Sequence, residues 1–211
     1  MEKILEIDCK VVFLGDKNVG KTTLIYQYIN GIFLENVEPT FSASFNQKSL
    51  NINGTKINFD IWDTAGEEAY RSLTKIFLNR ANICILVYDT TKEKTFENIK
   101  NVWYNLILEH LDKEEIIFVL IGNKNDLYDQ QEISAQEANL YAKKINAIYD
   151  ELNALSNEKI NNLMEKIAKK FIKKQEKINK SLTSSSLSNS TKLFNSNNNQ
   201  KTNKKVVNIK L

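Results

Sequence analysis

Short apolar, β-branched runs alternate along this chain with stretches whose apolar residues recur at helical spacing. That alternation predicts strands at 8–14, 43–52, 56–62, 83–88, 116–122 and 147–152. Helices are predicted at 21–30, 68–79, 95–111, 135–144 and 158–178. The runs at 83–88 and 116–121 are apolar throughout, the pattern of strands buried on both faces. Six strands interleaved with five helices predict an α/β fold, a doubly wound and mostly parallel sheet. One pair departs from this. Asn53-Gly54 between two alternating runs signals a tight hairpin, so one edge strand is expected to run antiparallel.

Composition changes the picture mainly at the C-terminal end. At 211 residues and 42% hydrophobic, the chain has room for one domain, placed at 1–178, and an extension. Residues 179–211 are rich in Asn, Ser and Lys and are expected to be disordered, because they bury too little apolar surface to offset chain entropy. The net charge of +3 hides an asymmetry: from Glu158 onward 13 lysines face three acids, +10, leaving −7 on the remainder. The ordinary reading of such an end is a solvated helix face and tail. The functional reading is weak attraction to anionic membranes, worth roughly 1 kcal/mol per lysine at the surface. Cys9 and Cys84 fall inside predicted strands and read as small core residues in a reducing compartment. No apolar run is long enough to cross a bilayer, no signal peptide opens the chain, and residue 2 is not the glycine that myristoylation needs. The single histidine, His110, has no second histidine to form a metal site with. A cytoplasmic monomer without nucleic-acid partners is expected.

The first candidate chemistry lies where the first strand meets the first helix. Gly15-Asp16-Lys17-Asn18-Val19-Gly20-Lys21-Thr22 fits G-x-x-x-x-G-K-[ST] between a predicted strand and a predicted helix. Glycines let the backbone curl so that successive N–H groups face an anion, and the helix start adds its own donors. Lys21 would reach β- and γ-phosphate oxygens, and the Thr22 hydroxyl would ligate Mg²⁺.

A second segment, Asn123-Lys124-Asn125-Asp126, follows a predicted strand. Guanine carries two donors on one edge, its ring N1–H and its amine, and the Asp126 carboxylate can accept from both. Adenine offers no match and would leave that charge unpaired. Asn123 would bridge loops around the base, and the Lys124 stem would cover its face. A third segment, Asp63-Thr64-Ala65-Gly66-Glu67, follows the strand at 56–62. Asp63 can hold Mg²⁺ through a water, and Gly66 lets a backbone N–H approach the γ-phosphate. Earlier, Glu38-Pro39-Thr40 supplies Thr40 as a second hydroxyl for Mg²⁺. Both segments would be held by the γ-phosphate and released when it leaves.

In order and spacing, GDKNVGKT, PT, WDTAGEE and NKND resemble the Ras-like small GTPases, nearest the Rab branch. The resemblance covers roughly 8–178 and implies the P-loop NTPase fold, GTP/GDP and Mg²⁺ as ligands, and a switch in vesicle-mediated transport. It also implies an exchange factor, a GTPase-activating protein and effectors as partners. By the same resemblance Phe33 stacks near the guanine, Thr23 contacts the α-phosphate, and Phe45, Trp62 and Phe77 form an effector-reading trio. Simple packing is the competing role for those three aromatics.

The chain departs from the family in several places. Glu67 stands where a glutamine usually orients the attacking water, and a carboxylate can only accept, adding negative charge near an anionic transition state. It can instead act as a base, so the sign of its effect stays open. Lys17 stands where relatives carry a small residue, and its ammonium would either lie along the γ-phosphate or obstruct an arginine finger. Ser42 replaces a switch glycine. Asn153-Ala154-Leu155 stands for Ser-Ala-Lys: Ala154 keeps its backbone N–H for the guanine oxygen while the lysine is lost. The final residues hold no cysteine for prenylation, so weak or indirect membrane contact without a lipid anchor, through partners or the basic tail, is expected. Two functions therefore compete: a GTP-hydrolysing switch with Lys21, Thr40, Gly66 and Glu67 at the reaction, and a GTP-locked, poorly hydrolysing effector-binding module. A nucleotide kinase would need a lid rich in arginine, and the chain has only Arg71 and Arg80.

Overall fold

A computed structural model of the chain describes residues 5–35, 37–38, 40, 43–67 and 71–199, of which 71–72 and 181–199 are described in backbone alone. The sequence expectations on Pro39, Ser42, 68–70 and 200–211 lie outside the described residues. The chain divides into two units, 1–169 and 170–211.

The first unit is built on a six-stranded sheet. Its strands are β1 (Leu5–Leu14), β2 (Ala43–Ile52), β3 (Thr55–Thr64), β4 (Ile83–Asp89), β5 (Ile117–Asn123) and β6 (Ile148–Glu151). They lie in the order β2-β3-β1-β4-β5-β6, and every neighbouring pair is parallel except β2–β3. The antiparallel pair closes at Asn53-Gly54, both at positive φ (49° and 81°), as the turn dipeptide requires. Every residue of β4 and β5 is buried, which is why their sequences run apolar without alternation. β3 alternates instead, with Ile57, Phe59 and Ile61 on the covered face. It also runs to Thr64 rather than ending at residue 62, so Asp63 is a strand residue paired beside Phe13 rather than the first residue of a loop.

The helices are α1 (Lys21–Asn30), α2 (Arg71–Leu78), α3 over 93–108, α4 (Ala135–Lys144) and α5 (Asn157–Asn199). α3 is one helix with a π turn, Ile99–Trp103, between α-helical ends Glu93–Asn98 and Tyr104–Leu108. Periodicity alone does not reveal that turn. The α3 side chains Phe96, Ile99, Trp103 and Ile107 join Leu86, Tyr88, Phe118 and Leu120 in a buried core. In the second unit the backbone continues α5 helically to Asn199, beyond residue 178, where the sequence reading ends the helix. Helical hydrogen bonds close within the segment itself, so a polar composition that cannot build a core does not prevent them.

The carboxyl ends of β1, β3, β4, β5 and β6 share one rim. β3 and β4 flank β1 on opposite sides, so the chain's crossovers diverge at the end of β1, where open α/β sheets place ligands.

Candidate functional site

The segment after β1 forms a loop whose shape is set by glycine. Gly20 caps α1 at φ 94°, and a Cβ there would stand 2.2 Å from Asn123 Nδ2. Gly15 also lies at positive φ, as does Asn18. The loop curls around its own lysine: Lys21 Nζ donates to the carbonyls of Gly15 at 2.8 Å and Asp16 at 2.9 Å. Burial pushes the Lys21 ammonium down to about 8, against the pull of Asp63 and Asp16, so it stays mostly protonated at neutral pH. An ammonium buried in this way and, among the described residues, bonded only to carbonyls favours an incoming anion.

Asp16, at the loop's shoulder, is anchored from α3. Asn98 Nδ2 donates to Asp16 Oδ2 at 2.6 Å, and Trp103 Nε1 donates to Oδ1 at 2.8 Å. Sequence reasoning misses both anchors because nothing near Asn98 or Trp103 marks them as site residues.

Three oxygens converge beside Lys21. Thr22 Oγ1 donates to Asp63 Oδ2 at 2.6 Å, Thr40 Oγ1 lies 3.2 Å from the same oxygen, and the two hydroxyls are 3.0 Å apart. Asp63 Oδ1 is buried with no hydrogen-bond partner among the described residues. Burial raises the Asp63 carboxyl, while Thr22, Lys21 and Thr40 pull it down. Two hydroxyls and a carboxylate whose second oxygen is buried and unsatisfied fit a hard divalent cation such as Mg²⁺. Among the described residues no group of three His, Cys, Asp or Glu could hold a metal, so any cation here depends on hydroxyl ligands and its substrate.

Lys21, Thr22 and Thr40 line a cavity of about 370 Å³ that also takes in Lys17, Asn18, Thr23, Gly66 and Glu67. Gly66 is indispensable to that shape, since a Cβ would sit 2.3–2.5 Å from the Asp16 and Lys17 backbone. Gly20, Thr23, Glu35 and Lys124 continue into an adjoining cavity of about 200 Å³ lined by Phe33, Asn123, Asp126, Leu127, Ala154 and Leu155. Val19 faces inward and is fully buried, and its carbonyl accepts from Asn123 Nδ2 at 2.7 Å. Lys124, at φ 64°, pairs through Nζ with Asp89 Oδ2 at 2.6 Å. Asn153 Nδ2 donates to Asn125 Oδ1 at 3.2 Å, tying the loop after β6 to the loop after β5. Leu155, largely exposed, lines the second cavity where the resemblance leads one to expect a lysine. The resemblance puts Asn153 in the base-binding loop without foretelling its bond to Asn125, and nothing in the sequence marks Asp89.

Away from the cavities, Phe45 and Trp62 pack as tilted rings with centroids 5.2 Å apart, and Trp62 and Phe77 likewise at 5.3 Å. Lys10 covers the Trp62 ring, while Phe45 and neighbouring Ile76 stand exposed. No described helix is long and apolar enough to cross a membrane.

Comparison with known proteins points the same way. Residues 10–173 match the family described as the Ras family. The Ras-related protein RabJ of Dictyostelium discoideum is 41% identical over 168 residues, 80% of this chain and 65% of that protein. The Ras-related protein Rab-22A of Canis lupus familiaris is 37% identical, over 78% of this chain and 84% of its own. The Ras-related protein Rab-21 of Mus musculus is 39% identical, over 77% of this chain and 72% of its own.

Proposed function

Since this chain belongs to the Ras family, in its Rab branch, we infer that it is a guanine-nucleotide switch of vesicle trafficking that hydrolyses GTP. The single observation supporting this most directly is the pair of adjoining cavities at one sheet rim. One offers a buried ammonium and a glycine-shaped loop, and the other carries the Asp126 carboxylate on its wall, which supports reading it as the base pocket.

In this reading the phosphates rest on the backbone of Gly15, Lys17, Asn18, Val19 and Gly20, with Lys21 on the β- and γ-oxygens and Thr23 on the α-phosphate. Asp126 accepts from the guanine edge, Ala154 donates to its oxygen, Asn123 braces the loops, and Lys124 and Phe33 enclose the ring. Thr22, Thr40 and, through a water, Asp63 would hold Mg²⁺, which when bound neutralises charge on the β- and γ-phosphate oxygens. In hydrolysis the oxygen of a water bonds to the γ-phosphorus in line with the β–γ bridge. That bridging P–O bond breaks, its electron pair leaves with GDP, and the water's proton passes to the released phosphate. Lys21 offsets charge on the oxygens, while the Gly66 backbone and Glu67 border the water. No arginine lies within these motifs, so a GTPase-activating protein supplies one, a gain of roughly 10³–10⁵ in related systems.

The nucleotide-binding domain is assigned to 1–178 and the remainder to a tail. An exchange factor loads it, and effectors read Phe45, Trp62 and Phe77, whose partial exposure supports that use. A second reading, a GTP-locked effector module, is favoured by one observation: the Glu67 carboxylate lines the phosphate cavity. Single-turnover hydrolysis of bound GTP, beside Glu67→Gln, separates the two. Turnover by the native chain supports the enzyme. GTP that persists for hours, with hydrolysis recovered by the glutamine variant, supports the locked module. The nucleotide released from the purified protein by denaturation gives an independent check, and an adenosine nucleotide would defeat both.

A further inference from the structure

Lys17 and Glu67, two positions at which this chain departs from the family it resembles, meet in space. Lys17 Nζ lies 3.8 Å from Glu67 Oε1, and both side chains line the phosphate cavity with Lys21, Thr22, Thr40 and Gly66. Each is about half open to solvent, so the pair contributes little to folding. Among the described residues neither charge has another ion-pair partner.

We propose that Lys17 is a γ-phosphate-sensing cation, held by Glu67 when that phosphate is absent and given up to it when it is present. The proposal rests on the nucleotide-switch reading and deepens it. A terminal phosphate brings close to two negative charges and three acceptor oxygens into a cavity both side chains already share. A single carboxylate competes poorly with it for an ammonium on a flexible four-carbon stem. As Lys17 turns to the phosphate, Glu67 loses its cation and is left free to border the attacking water. The residue bordering the water thereby changes place with the state of the nucleotide. Either charge alone would unbalance the cavity: Lys17 without Glu67 overbinds triphosphate, and Glu67 without Lys17 repels it. The two departures thus form one device, in which Lys17 is a specificity-determining residue and Glu67 its counterweight.

Equilibrium competition of a fluorescent GDP by unlabelled GTPγS and by GDP, with Mg²⁺ present, tests this through binding rather than turnover. Lys17→Ala is expected to lose roughly fivefold more affinity for GTPγS than for GDP. Glu67→Gln is expected to shift the ratio the other way, Lys17→Arg to keep it near native, and high salt to shrink every difference. Both side chains are exposed enough that these variants should fold, and retained GDP binding verifies it. A Lys17→Ala protein that binds GDP but keeps the native ratio within about twofold overturns the proposal and leaves the switch reading standing. A folded native chain that binds neither nucleotide overturns the switch reading, and this proposal with it.

Discussion

Asn123 donates from Nδ2 to the Val19 carbonyl at 2.7 Å and, through the same nitrogen, closes off the space above Gly20. One amide thereby joins the end of β5 to the loop after β1, and the two cavities share a wall. The contact depends on residue 20 having no side chain.

Gly20→Ala is accordingly expected to destabilise the protein. Its Cβ would fall 2.2 Å from the Asn123 amide, at a backbone φ of 94° that L side chains rarely adopt. Strain of this kind costs on the order of 1–3 kcal/mol. Thermal unfolding should drop by several degrees, and guanine-nucleotide affinity should fall with it, since Asn123 must move. An unchanged midpoint would mean that Asn123 is not fixed as described.

Asn98→Ala removes one of the two donors that, among the described residues, hold the Asp16 carboxylate, the other being Trp103 on the other oxygen. Hydrogen bonds to charged groups contribute about 1.5–3 kcal/mol when buried, and this partly buried one should lie at the low end. Because Asp16 also lends its carbonyl to Lys21, the phosphate loop itself should loosen. Release of a fluorescent GDP is expected to quicken several-fold. A native release rate would show that α3 does not brace the loop.

Asp126→Asn bears on the base. The amide can donate to the second oxygen of xanthine but no longer accepts from both guanine donors. Preference should move from guanosine toward xanthosine nucleotides, with guanosine affinity falling by a few kcal/mol. Competition binding reads this, and a variant still loyal to GTP would remove Asp126 from the base edge.

Acid should weaken the fold in part through Asp89. Burial would raise its carboxyl, but hydrogen bonds from Lys124 and Thr91 overcome that and hold it below its ordinary 3.8. A carboxyl depressed in the folded state stabilises it above the unfolded value and loses that contribution as pH falls through the folded value. Asp89→Asn should therefore be less stable than native at neutral pH, with the gap narrowing below 3.8. Urea unfolding across an acidic pH series measures it. A gap that stays constant would show that the Lys124 pair contributes nothing.

What the sequence by itself determined is whatever covalent spacing or local pattern enforces. Unbroken apolar runs of strand length read as covered strands, Asn53-Gly54 signals a tight reversal, and a glycine-flanked loop before a helix brings Lys21 and Thr22 together within eight residues. The tertiary structure alone decided which distant residues meet. Asp16 with Asn98 and Trp103, Lys17 with Glu67, Lys124 with Asp89 and Asn123 with Val19 are joined by the strand order β3-β1-β4-β5. That order brings separate loops to one rim. The π turn at Ile99–Trp103 belongs to the same class, since hydropathy reports which face of a helix is buried and not how its backbone is bonded. A loop's chemistry is written in consecutive residues, whereas a contact between loops exists only once long-range strand pairing has closed the chain between them.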